Sequence, residues 1–595
     1  MKRWVICIVA ILCLLSGIAV ANPLGGSPMG GGGSISGTPI GEGDIPGSAI
    51  ESPWWFRGLT FWAPFDNPDL PLTLHRATGS LSFTRATIAT YVHPTTGLIT
   101  MAGENGFLYS EDFSNENWSV SGSITVTVDS AVSPNGNTTA DLLTKSGGAA
   151  YILQSVSGFV VGNTYTASLY IMKDSVTSRF PEFGFTMGVA SLFTQLNTST
   201  GEKVDRVADG TVSSSVVDAG TYWRLVLTGV NQGTAFSSYL RPAAGTTLGV
   251  YDANATGSII VSQAQLNMGA TPTTYIKTTA AAANALRIEA NGALIEGQRT
   301  NIATYSDDLT NAAWVKVTMT AAMDQIGPDG VANSASSITA TGANATILQT
   351  VVSDNSAHSY AVYLKRLSGT GAVNITIDNT MWTAQTITSS WARYKKENTT
   401  VLDPLDPIIG IQLATSGDSV AVALNQLEVA AFSSSPIPTT MAAVTRNLSS
   451  LSVASSGNID NTAGTFYTSW TPNFANTVTA SGNYYFFDAG GLEAYWNSTD
   501  DKIYLTDGTN TISTAALTFS ADVAKDLAFT WGASGLSITV DGIDTTGATY
   551  TEVVEAANTF IGADTSSANL LYGHEKNFRN WNRQFILSER IAIAP

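Results

Sequence analysis

Cysteine is nearly missing from this 595-residue chain: Cys7 and Cys13 are the only two, and both lie in the first 21 residues. Beyond them no disulfide and no thiolate metal ligand can form. Histidine is also scarce, and His75, His93, His358 and His574 follow no metal-ligand spacing. Charged residues make up 12% of the chain, about half the usual share. What charge there is leans one way, with 46 acidic against 28 basic residues and a formal net charge of −18. Such a surface repels phosphate backbones, so no nucleic acid is expected as a partner. No GxSxG elbow, HExxH pair or phosphate-binding Gly-rich loop occurs. After residue 20 no apolar run is long enough to cross a bilayer.

What remains is rich in Gly, Ser, Thr and Ala, with short β-branched runs broken by turn residues. That texture predicts an all-β protein. The length exceeds one core, so three or more domains are expected. Residues 1–21 carry Lys2 and Arg3, an apolar run from Trp4 to Val20, and Ala19-Val20-Ala21. They read as a signal peptide, with an uncleaved membrane anchor as the alternative. Without Lys2 and Arg3, 26 basic residues face 46 acidic ones, a formal −20. Residues 22–52 form a Gly/Pro/Ser-rich linker. Residues 53–104 are an aromatic-rich β segment, expected to serve attachment. Trp54, Trp55, Phe56, Phe61, Trp62 and Phe65 crowd its start, and burial against a neighbouring module or subunit is expected of them.

One phrase occurs twice. YSEDFSNENW runs from Tyr109 to Trp118 and YSDDLTNAAW from Tyr305 to Trp314, 196 residues later. Further blocks recur in the same order: ILQSV at Ile152 with ILQTV at Ile347, YTASLYIMK at Tyr165 with YAVYLKR at Tyr360, and AQLNMG at Ala264 with NQLEVA at Asn425. TYWRLVL at Thr221 matches SWARYKK at Ser390, and Trp223 and Trp391 are expected in the core beneath the stems of Arg224 and Arg393. A duplicated domain explains this. Copy one is longer around residues 177–220, as a hairpin insertion would make it. The boundaries expected are 105–280 for the first jelly-roll repeat, 281–304 for a linker, 305–447 for the second repeat, and 452–595 for a third, different β domain. The fold class is therefore three tandem antiparallel β-sandwich domains after a flexible N-terminal region.

FTRATIATY with TGLIT, LIEGQRTN (Leu294 to Asn301) and AAVTRNLSSLSV (Ala442 to Val453) resemble strings in tailed-phage and prophage structural proteins. In that family, tail-fibre or head-spike-fibre-like chains carry jelly rolls similar to carbohydrate-binding modules. TWGASGLSITVDG with NFRNWNRQFILSERI resembles the laminin-G / concanavalin-A-like lectin sandwich. The resemblance implies a cell-surface glycan as partner, a homo-oligomer of trimeric type and a virion location; the signal-peptide reading implies a secreted, extracellular one.

Sugar recognition on a sandwich uses aromatic faces against pyranose C–H groups, with Asp and Asn for the hydroxyls. LEAYWNSTDDK offers Tyr495, Trp496, Asn497, Asp500 and Asp501 as that ligand-binding set, with one of the two aromatics expected inward. Trp531 is expected in the core. Asp500, Asp501 and Asp507 are candidate Ca²⁺ ligands; no other cofactor is expected. Retaining glycosidases need two carboxylates facing one cleft. Neither Asp500-Asp501 nor Glu552 with Glu555 has that parity, so no catalysis is expected. A secreted polysaccharide-active enzyme and a purely structural virion or surface component remain the alternatives.

Overall fold

The computed structural model describes residues 59–595 except 64, 66–80, 86, 88, 103, 158–161, 234, 279–282, 285, 401–405 and 479–481. The expected signal peptide and Gly/Pro/Ser-rich linker, with Trp54, Trp55 and Phe56, lie outside the described residues. The fold is all-β and antiparallel, with one short α-helix, Leu587–Ile593, and one 3-10 turn, Asn476–Val478, among the described residues.

The second repeat is a sandwich of two five-stranded sheets. One is ordered 315–317, 345–350, 408–413, 373–376, 383–385; the other is ordered 319–325, 335–340, 419–429, 357–368, 392–400. Ile338, Ile347, Tyr360, Val362 and Ile411 fill the space between them. In the first repeat the 20-residue strand Thr138–Ser157 runs through both layers, so its strands join into one ten-stranded sheet. The extra length of the first repeat is two added edge strands: Lys203–Asp209, paired with Ala190–Leu196, and Val212–Ala219, paired with Tyr222–Val230.

The repeated phrase has a structural cause. The indole N–H of Trp118 donates to the carbonyl of Tyr109 at 3.0 Å, and that of Trp314 to the carbonyl of Tyr305 at 3.0 Å. Both tyrosines sit at positive φ, 48° and 50°. Four residues upstream of each, Asn105 and Asn301 make matching sets of bonds. Their amide groups donate to Ala264 and Ile276 in one copy, to Asn425 and Ile437 in the other. Gln154 and Gln349 each exchange two bonds with a backbone residue, Leu108 and Thr304. These side chains satisfy backbone groups that no strand reaches, which only a few residue types can do.

Trp223 and Trp391 are half-buried at the margins of the apolar clusters they pack against, not fully enclosed. Their covers are lysines and not the expected arginine stems: the Lys173 and Lys365 ammoniums lie 3.9 and 5.0 Å above the rings.

The third sandwich corrects the expected domain order. Its two sheets, of eight and seven strands, draw on more than residues 452–595. Leu59–Ala63 pairs with the strand Gly573–Trp581, and Ser82–Thr84 pairs with Ser450–Ala454. The stretch 281–304 is not a linker: Ile288–Glu289 and Gly292–Ile295 form a hairpin at the edge of the eight-stranded sheet. Apolar Leu286, Ile288, Leu294 and Ile295 are buried there. Gly292 is obligatory, since a Cβ would lie 2.2 Å from the Glu575 carbonyl oxygen. Phe61 and Phe65 join the core of this sandwich, and Trp62 is buried beneath Arg579. The two repeats are thus insertions in a discontinuous host sandwich. Each leaves and rejoins it through an antiparallel pair: Glu104–Asn105 with Ala283–Asn284, and Arg299–Asn301 with Val444–Arg446.

A buried ionic hub holds the junction. Glu296, wholly buried, receives Arg287 at 2.7 Å and Arg446 at 3.1 Å. The Ser435 backbone N–H and hydroxyl donate to it at 2.8 and 2.7 Å, and Asn473 Nδ2 at 3.3 Å. Ser434 is bound in turn by Glu428. The hub therefore joins the 288–295 hairpin, the end of the second repeat and the return into the host sandwich.

Glu575 is a second buried carboxyl, on the central strand Gly573–Trp581 beside the Thr468 hydroxyl. Burial pushes its pKa well up. The folded state therefore keeps a proton that the unfolded chain releases near pH 4.5, and stability falls as pH rises. Glu575→Gln is expected to raise the melting temperature more at pH 8 than at pH 5. Equal shifts at both, read by calorimetry, would contradict this.

Candidate functional site

The seven-stranded sheet of the host sandwich has an open outer face built from three neighbouring strands: Asn483–Asp488, Glu493–Asn497 and Lys502–Thr506. In the middle strand Ala494 and Trp496 point into the core, while Glu493, Tyr495 and Asn497 point out. Trp496 is thus corrected from ligand candidate to core: it is fully buried against Phe474, Tyr484 and Phe519. Trp531 is also core, as expected.

Register brings Tyr495 opposite Tyr485 on one side and Tyr504 on the other. The ring of Tyr495 stacks on Tyr504 with centroids 5.3 Å apart and planes at 16°, and lies 5.1 Å from Tyr485. A ladder of three half-buried tyrosines therefore crosses the sheet. Its flanks are polar. Asn497 Nδ2 donates to Asn483 Oδ1 at 2.8 Å on one side, and Glu493 stands on the other. Tyr504 donates to Asp500 at 2.5 Å. Burial, and the carboxylates beside them, push the Tyr485 and Tyr495 hydroxyls up; for Tyr504 the bond to Asp500 leads. All three stay neutral donors at physiological pH. Glu493 is raised by burial.

Asp500 and Asp501 occupy the turn between the second and third of these strands, Asp501 at φ 59°. Each has one carboxyl oxygen buried without a hydrogen-bond partner among the described residues. Asp507 does not join them as a cation site. Its carboxylate is spent on the backbone N–H groups of Thr509, Asn510 and Thr551. Among the described residues no group of three or more His, Cys, Asp or Glu side chains could hold a metal. Of the residues expected from sequence, Tyr495, Asn497 and Asp500 share the face and Asp501 borders it. Tyr485, Tyr504, Asn483 and Glu493 were missed. Their signal was the outward parity of Asn483-Tyr485 and Lys502-Tyr504 in the strands on either side.

The first repeat carries an aromatic surface of its own. Buried Glu182 binds Arg206 at 2.6 Å and Arg241 at 2.5 Å. The Arg241 guanidinium then lies over Tyr151, Phe193 and Tyr251 at 5.4 to 5.5 Å. In the second repeat the place of Tyr151, one residue before the matched Ile152, is taken by Thr346. The buried framework is shared between the copies and this surface is not.

Neither a protein-family model nor a curated protein matches the sequence. Solved structures aligned to the chain include the CBM22-1–CBM22-2 tandem domain of Paenibacillus barcinonensis Xyn10C, at 11% identity over 59% of this chain and 99% of that one, with a TM-score of 0.21. A Trypanosoma rangeli sialidase mutant aligns at 9% identity over 86% and 97%, TM-score 0.20. The mouse laminin α1 LG4-5 pair aligns at 9% over 74% and 89%, TM-score 0.13.

Proposed function

We propose that this chain is a glycan-binding β-sandwich protein of phage-fibre or adhesin type, displayed on a virion or outside the cell. The observation that carries the reading is the Tyr485–Tyr495–Tyr504 ladder on an open sheet face. Tyrosine rings give a pyranose an apolar surface worth about 1–3 kcal/mol per residue covered, and neutral hydroxyls, Asn497 and Asp500 provide directional bonds at its edge. The resemblance to trimeric fibres adds a homo-oligomer, in which individually weak contacts on one cell surface multiply into avidity. The aromatic surface of the first repeat would add a second contact per chain.

Tyr495 is the test because it touches both other rings and no core residue depends on it. Tyr495→Ala is expected to weaken binding to a responsive polysaccharide about tenfold or more, equivalent to about 1.4 kcal/mol, with the melting temperature unchanged. Affinity electrophoresis in gels containing a panel of bacterial capsular and cell-wall polysaccharides reads this. No retardation of the wild type by any polysaccharide would leave the structural-component reading in its place.

A further inference from the structure

At the end of the tyrosine-bearing strand lies a cleft of ≈ 240 Å³ between the host sandwich and the second repeat. Arg299, Phe432, Asn483, Tyr484, Asn569 and Tyr572 line it. The volume is below the ~300–1,000 Å³ of drug-sized sites and suits a single sugar residue. Arg299 is its distinctive group. Its guanidinium lies 4.5 Å from the Tyr572 ring centre and 5.2 Å from that of Phe432, and donates one bond, at 3.1 Å, to the Tyr572 hydroxyl. Its Nε is buried without a partner. Among the described residues no carboxylate forms an ion pair with it, although each of the hub arginines 287 and 446 has Glu296.

The surroundings are electropositive, against the −18 of the whole chain. Arg85, Arg287 and Arg446 interact electrostatically with Glu296, and Arg446 also with Glu428 and Arg299. Arg85 interacts with Glu104 as well, so four guanidinium groups share three carboxylates. A planar fork clamped on aromatic rings, lacking its own counter-ion, is built to take a carboxylate. Asn483 belongs to both places: it lines the cleft and pairs with Asn497 at the edge of the tyrosine face. Two residues of extended strand, about 7 Å, separate it from Tyr485.

We propose that this cleft is a subsite for a carboxylate-bearing sugar, of uronic acid type, held by Arg299. The inference rests on the glycan reading above and narrows it to acidic glycans that run from the tyrosine face into the cleft.

Saturation-transfer NMR on the full chain tests it, with D-glucuronate and D-glucose as probes. Glucuronate should receive saturation from the wild type and glucose at least fivefold less. Arg299→Gln should abolish the difference. Arg299→Lys, which keeps a cation but not the fork, should retain a weakened preference, and it remains informative if the glutamine variant fails to fold. In a Tyr495→Ala background, which removes stacking at the tyrosine face, the glucuronate preference that remains should still be lost on Arg299→Gln, so the cleft is read separately from that face. Equal signals from both sugars, or a preference that survives Arg299→Gln, would overturn the subsite. The polysaccharide result for Tyr495 would then stand or fall by itself.

Discussion

Glu296→Ala is expected to cost about 3–5 kcal/mol, because it strands the Arg287 and Arg446 charges in a region closed to water. Both guanidinium groups are at most 1% exposed, and neither can deprotonate to escape. The loss should be local before it is global. The hub binds the 288–295 hairpin to the end of the second repeat, so protease sensitivity should appear first near residues 281–304 and 430–450. Glu296→Gln, which keeps the shape and loses the charge, should fall nearly as far. Acid should mimic the mutation. Burial alone would push Glu296 up, but Arg446 and Arg287, with Ser435, overrule it and hold the group well below the usual carboxylate range. A depressed folded value means that its contribution is complete above the ordinary glutamate range and drains away as pH falls. Differential scanning calorimetry from pH 7 to pH 3 would show this as a steep loss in the wild type and a shallower one in Glu296→Gln. A variant that melts with the wild type at neutral pH would show the hub to be dispensable.

Trp314→Ala should be nearly as severe within the second repeat. The side chain is 1% exposed, and removing a buried tryptophan costs about 3–5 kcal/mol. It also orphans the Tyr305 carbonyl at a residue held in the left-handed region, where a non-glycine backbone is already strained. Trp314→Phe separates the two contributions. It keeps most of the packing and loses only the N–H, so about 1–2 kcal/mol is expected. Urea unfolding followed by tryptophan fluorescence measures both. The same pair of substitutions at Trp118 should give the same ratio, because the bond length and the backbone angle recur there. If alanine and phenylalanine proved equal, the cap would be irrelevant and only volume would matter.

The duplication was legible in the sequence because its markers do chemistry that tolerates no substitute. Asn105 and Asn301 each bridge backbone groups from segments more than 120 residues apart in sequence. The insertion architecture was not legible. A strand such as Leu59–Ala63 looks the same locally whether it pairs with the next segment or with one more than 500 residues away. Yet the three strings FTRATIATY, LIEGQRTN and VTRN already held the answer in their arginines and glutamate. Arg85, Glu296 and Arg446 meet in one buried cluster. At the candidate site the parity of one strand was readable: polar Glu493 and Asn497 put Tyr495 outside and Trp496 inside. What could not be read was register between strands, which alone brings Tyr485 and Tyr504 beside Tyr495.

The pairing of Leu59–Ala63 with Phe578–Trp581 sets an order of events during synthesis. A nascent chain emerges with Phe61 and Trp62 about 500 residues ahead of the strand that will cover them. Meanwhile each repeat can close as soon as its own last strand has left the ribosome, since its framework bonds are internal. The host sandwich is therefore the last part to mature. A ribosome that stalls after Arg446 but before Gly573 would release two finished jelly rolls tethered to an apolar, unpaired edge, a product that chaperones must shield or proteases remove.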